Sequence, residues 1–113
     1  MAPLYGRPSE DEVAAKGERS TAVYRAAMPE ISRFFGIVIT MYQDDHGPPH
    51  FHARYGEFQA RVAIADCEVL AGSLPPRALG MVVEWATSHR GELEHDWRLA
   101  TSRLPLDRID PLR

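Results

Sequence analysis

The stretch "DDHGPPHFHARYG", Asp44 to Gly56, places three of the chain's five histidines within seven residues, with two carboxylates before them and a guanidinium after. Several chemistries are open to such a set. Neutral imidazoles at His46, His50 and His52 have the spacing of ligands in an open zinc site, and Asp44 and Asp45 could add a carboxylate or orient the rings. Alternatively, an imidazole such as His50 or His52 acts as general base on a ribose 2′-hydroxyl while Arg54 or Arg61 stabilises the phosphate charge. That cleavage needs no metal. The same arginines, with Gln59, also suit recognition of a phosphate, a carboxylate or an acidic protein surface. The plain alternative is the solvated face of a strand that happens to carry imidazoles.

The choice depends on what positions these side chains. "QDDHGPP" breaks the preceding strand, because proline cannot donate to a ladder and Gly-Pro marks a turn. His50 to Tyr55 resumes as a strand, Gly56-Glu57 is a two-residue hairpin turn, and Phe58 to Ala65 returns. This register pairs Tyr55 with Phe58, Arg54 with Gln59, Ala53 with Ala60, His52 with Arg61 and Phe51 with Val62. Side chains alternate across a strand. One face is then Phe51, Ala53, Tyr55, Phe58, Ala60 and Val62, turned to the helices. The other carries His50, His52, Arg54, Gln59 and Arg61. A slip by one residue would bury the charges. On that open face a metal ion would sit beside Arg54 and Arg61. At about 5–7 Å and an effective dielectric near 20, each unit charge pair costs about 2–3 kcal/mol. The histidine spacing points to metal, the shared face to an anion.

The remaining elements frame this hairpin. "FFGIVITMY", Phe34 to Tyr42, is apolar in both alternating sets, which predicts one strand covered on both faces. A turn at Asp66-Cys67 leads to a short strand at Glu68–Leu70. From Ser73 the period becomes helical, with Ser73 as a candidate cap and prolines opening the helix. Leu79, Val82, Val83 and Ala86, then Leu93, Trp97, Ala100 and Leu104, follow one helical face. A single helix of this length would outrun so small a domain, so Gly91 is the expected break. The fold class expected is α+β: a three- to four-stranded antiparallel sheet followed by two C-terminal helices packed on one face. Residues 1–27, rich in small and charged groups without strand alternation, read as a loose N-terminal extension. Residues 28–113 form a single α+β domain.

The totals set limits. With 113 residues there is room for one modest core, and the net charge of −3 lacks the basic excess of a general nucleic-acid coat protein. Twelve of the 13 basic residues are arginine, a bias that genome composition explains. No apolar run is long enough for a membrane span and no signal peptide is evident. The single Cys67 forbids an intramolecular disulfide, so a cytoplasmic protein is expected. Cys67 has no His-Asp spacing around it and is not read as a nucleophile. His89 and His95 are read as capping or surface residues, and Trp85 and Trp97 as core or partner anchors. No cofactor is expected.

Residues 28–112 resemble domain-of-unknown-function family 4160, a group of small bacterial proteins. The likeness rests on "MPEISRFFGIVITMYQDDHGPPHFHARYGE", "VLAGSLPPRAL", "EWATSHRGELEHDW" and "PLDRIDPL". This chain departs from the family at Asp66-Cys67, where glycine is frequent. The resemblance implies a start near Met28 and a genetic neighbour from another small domain of unknown function, family 2442. It therefore implies one half of a toxin–antitoxin-like module, with a small protein from the adjacent gene as partner. RNA is the alternative partner, and self-association is open. The resemblance assigns no catalytic residue.

Overall fold

The computed structural model describes residues 30–43 and 45–113; the extension read at residues 1–27 and Asp44 lie outside them. Five strands follow one another as a meander: β1 (Glu30–Phe34), β2 (Ile37–Thr40), β3 (His50–Tyr55), β4 (Phe58–Ala63) and β5 (Val69–Gly72). Each pairs antiparallel with the next, so β3 is central. Two helices complete the chain, α1 (Pro76–Ser88) and α2 (Arg90–Thr101). The α+β class holds, with five strands rather than three or four.

The additional strand is β1, which lies almost wholly before "FFGIVITMY"; that run is not one strand but the last residue of β1, a turn and β2. Phe34 pairs with Ile37, and the two residues between them, Phe35 and Gly36, have φ +49° and +81°. Positive φ at both central residues defines the primed hairpin turn, whose twist matches that of the strands it joins. Phenylalanine is a poor residue there, so the sequence carries only half a turn signal. The β3–β4 register is the expected one: Tyr55 opposite Phe58, Arg54 opposite Gln59, Ala53 opposite Ala60, His52 opposite Arg61, Phe51 opposite Val62.

Alternation along these strands builds the core. Phe51, Ala53, Ala60 and Val62 are buried, and α1 covers them through Ala78, Val82, Trp85 and Ala86. Tyr55 and Phe58, expected under the helices, lie at the hairpin end and are 38% and 48% exposed. The helix break falls at His89 rather than Gly91, and α1 begins at Pro76 without a side-chain cap. Ser73 is no cap; its N–H donates to the Gln59 carbonyl. Beyond α2 the chain returns to the sheet, where the Ile109 N–H donates to Ile31 O at 2.8 Å.

This return is held by a buried carboxylate. Asp96 on α2 is fully buried; its Oδ1 accepts the Asp107 N–H at 2.9 Å, while Oδ2 has no hydrogen-bond partner among the described residues. Burial pushes the Asp96 carboxyl up, against the Asp107 amide that pulls it down. The folded protein therefore binds this proton more tightly than the unfolded chain. The stability so contributed is complete below the ordinary value of 3.8 and is lost as pH rises through the raised folded value. Asp96→Asn keeps the Oδ1 acceptor and removes the charge. It should raise stability at neutral pH by about 1 kcal/mol and have little effect at about pH 3. Urea midpoints of both proteins at the two pH values check this; an equal difference at both would contradict it.

Candidate functional site

Loop residues 41–49 join β2 to β3 and carry Asp45 back over the start of β3. Two prolines stiffen the last part of that loop, since each fixes its own φ and restricts the residue before it. The loop is further tied to the sheet by the Ile64 N–H, which donates to Pro49 O at 3.0 Å. The Pro48 carbonyl is thereby held 2.9 Å from His50 Nδ1.

Asp45 and the two strand histidines converge. Asp45 Oδ2 lies 3.1 Å from His50 Nε2 and 2.9 Å from His52 Nε2. Rings enclose the cluster: Tyr42 meets His52 edge-on at 4.6 Å, the two imidazoles are 5.2 Å apart, and Trp97 from α2 lies 5.2 Å from His50. Burial would raise the Asp45 carboxyl, but the hydrogen bond and charge of His52, with those of His50, outweigh it and hold the group below its ordinary range. One ligand atom from each of Asp45, His50 and His52 lies within 4.8 Å of the others, a spacing that could hold a metal ion.

The histidine–arginine face expected from alternation is thus divided. His50 has the parity of that face but is only 2% exposed, because Trp97 lies against it. His52 is partly buried, whereas Arg54, Gln59 and Arg61 are exposed. The guanidinium groups of Arg54 and Arg61 make no hydrogen bond or ion pair with the described residues. Gln59 and Arg61 share with His52 a shallow depression of about 240 Å³ that Arg54 does not line. The candidate triad of His46, His50 and His52 is not assembled. His46 is exposed and stands outside the cluster, and Asp45 takes the third place.

The weaker sequence candidates take ordinary places. His89 pairs with Glu92 at the helix junction, and His95 Nε2 lies 3.4 Å from Asp107 Oδ2. Cys67 sits in the turn before β5 at φ +63°, with its thiol 4.0 Å from Arg90. Trp85 is core. Trp97 is the functional neighbour that periodicity could not find, since its helical spacing marks it as apolar without saying which ring it covers.

Fold and cluster define a class: an antiparallel meander backed by two helices, with a two-histidine, one-carboxylate cluster where the central strand begins. Residues 36–98, more than half of the chain, match the family described as Domain of unknown function (DUF4160), and the chain belongs to that family. No curated protein and no solved structure matches it. No helix among the described residues is long and apolar enough to cross a membrane.

Proposed function

We propose that this protein acts by binding a second small protein, as one component of a toxin–antitoxin-like pair encoded by neighbouring genes. The observation that carries the binding half of this reading is Phe35. It is 62% exposed and held at φ +49°, where a side chain of this size is strained and asparagine or glycine would be comfortable. Backbone strain of this kind clusters at binding and active sites. A groove of about 460 Å³ runs between Phe35, Tyr55, Pro75, Arg77, Ala78 and Met81, and the exposed Phe58 stands opposite Tyr55 in the next hairpin. Aromatic rings, methionine and arginine are the usual anchors of protein interfaces. The partner that fits offers apolar side chains to the groove and a carboxylate to Arg77. The pairing with a neighbouring gene product draws its support from the family resemblance.

RNA cleavage without a metal has less support from the geometry. His50 is buried beneath Trp97 with both ring nitrogens engaged, by Pro48 O and Asp45, so of the two imidazoles only the partly exposed His52, through Nδ1, is placed to take a proton from an incoming hydroxyl.

Co-expression with the neighbouring small protein tests the proposal. Phe35→Asn suits the turn and removes the ring. It should raise the stability of the isolated protein by about 1 kcal/mol and weaken the complex at least tenfold. Urea unfolding and calorimetric titration read the two effects. No complex, or a complex indifferent to both Phe35→Asn and Phe58→Ser, would overturn the reading. Growth arrest relieved by His52→Ala, with no partner bound, would favour cleavage. Concentration-dependent dimerisation in sedimentation, abolished by Phe35→Asn, would make the partner a second copy of this chain.

A further inference from the structure

The Asp45–His50–His52 cluster poses a problem of proton counting. A carbonyl oxygen can only accept, so the contact of His50 Nδ1 with Pro48 O at 2.9 Å places a proton on Nδ1. A neutral His50 then has a bare lone pair on Nε2, aimed at the Asp45 carboxylate 3.1 Å away. Two lone pairs face each other at hydrogen-bond distance, and something positive must lie between them. A second proton would make His50 a cation at 2% exposure, with the one carboxylate it meets among the described residues shared with His52. Buried ions of that kind are costly unless fully paired.

A divalent ion answers all three groups at once. Two neutral imidazoles and one carboxylate are a donor set for the transition metals, whereas magnesium and calcium prefer oxygen alone. Ligands about 2.1 Å from a metal are about 3.0 Å apart at right angles and about 3.4 Å apart in a tetrahedron. The two nitrogen–oxygen separations, 3.1 and 2.9 Å, fall near the first of these. The donation from His50 Nδ1 to a backbone carbonyl is the outer hydrogen bond that metal-bound histidines ordinarily make. The arginines do not forbid the ion. Arg54 and Arg61 are exposed, so at a dielectric near that of water the repulsion between either guanidinium and a dication falls to about 1–2 kcal/mol.

We propose that Asp45 Oδ2, His50 Nε2 and His52 Nε2 form a binding site for one divalent transition-metal ion of the zinc type. With three protein ligands the site leaves coordination positions for water or a bound anion, and the depression beside His52, Gln59 and Arg61 adjoins it. The partner surface at Phe35 is separate, so either proposal can fail alone.

The test uses the full-length protein, stripped with chelator and titrated with zinc sulfate by calorimetry and thermal unfolding, with magnesium as control. The expected result is one zinc per chain at micromolar affinity or tighter, a thermal midpoint raised by several degrees, and no response to magnesium. Cobalt should give a visible spectrum without a thiolate charge-transfer band, since Cys67 is not a ligand. His52→Ala should lower zinc affinity at least a hundredfold, and His46→Ala should leave it unchanged. No stoichiometric zinc binding, or binding that survives His52→Ala, would overturn the proposal and leave a proton as the shared positive particle.

Discussion

Replacing Trp85 with alanine is expected to lower stability by about 4 kcal/mol, a large part of what a domain of this size typically has. The indole is fully buried and joins three parts of the protein. Its ring lies 5.4 Å from Phe34 on β1, 5.8 Å from Phe51 on β3 and 5.6 Å from His89 at the helix junction. Its Nε1 donates to the Asp110 carbonyl at 2.7 Å, which holds the returning C-terminal segment. Alanine would leave a cavity that strands, helix and tail would all have to close. Trp85→Phe separates packing from tether: it keeps most of the ring contact, loses the hydrogen bond and should cost about 1–2 kcal/mol. Urea unfolding followed by circular dichroism measures both. A loss below about 1 kcal/mol for Trp85→Ala would mean that α1 is not fixed through this residue.

Gly72→Ala is the second large effect, for a steric reason. A Cβ at Gly72 would stand 2.1 Å from the Gln59 carbonyl oxygen, and the residue already has φ +74°. No flexible side chain can give way, because the obstacle is the backbone of β4. The expected loss is about 3 kcal/mol, through displacement of β5 from the sheet edge. Gly56 provides the control. Its φ is +59° but nothing lies within 4 Å of an added Cβ, so Gly56→Ala should cost only the conformational strain of about 1 kcal/mol. Hydrogen exchange should locate the damage, with the Ser73 amide bonded to Gln59 O losing protection in Gly72→Ala alone. Equal losses in the two variants would mean that backbone conformation, not the clash, sets the cost.

The same contrast between local signals and distant contacts runs through the fold. The β3–β4 hairpin was legible because two independent signals agree: strict alternation from Phe51 to Val62, and a glycine at the turn where φ is positive. The β1–β2 hairpin was not, because Phe35 occupies a position that usually announces itself with asparagine or glycine, and the residues before it, Glu30 to Phe34, do not alternate strictly between polar and apolar. An unsuitable turn residue hides a turn. It also makes Phe35 conspicuous once the structure is known.

The candidate site divides along the same line. Alternation places His50 and His52 on one parity, and that follows from the pleat alone. Which of them is open to solvent depends on Trp97, brought against His50 from 47 positions further along the chain. Likewise, histidine spacing makes His46 the expected third member, with Asp44 and Asp45 only in support, although a Gly-Pro-Pro loop has no fixed period to decide it. The loop's path over β3 brings Asp45, and not His46, to the two strand histidines.

By itself, then, the sequence determined the α+β class, the helical C-terminal half, the hairpin register and family membership, because each depends on neighbours a few residues apart. The tertiary structure alone decided that the two imidazoles meet a carboxylate rather than two guanidinium groups. It also decided that one imidazole is buried, and that an aromatic ring stands strained at the sheet's end. These outcomes depend on chain segments folding back across one another, and no short-range periodicity encodes that closure.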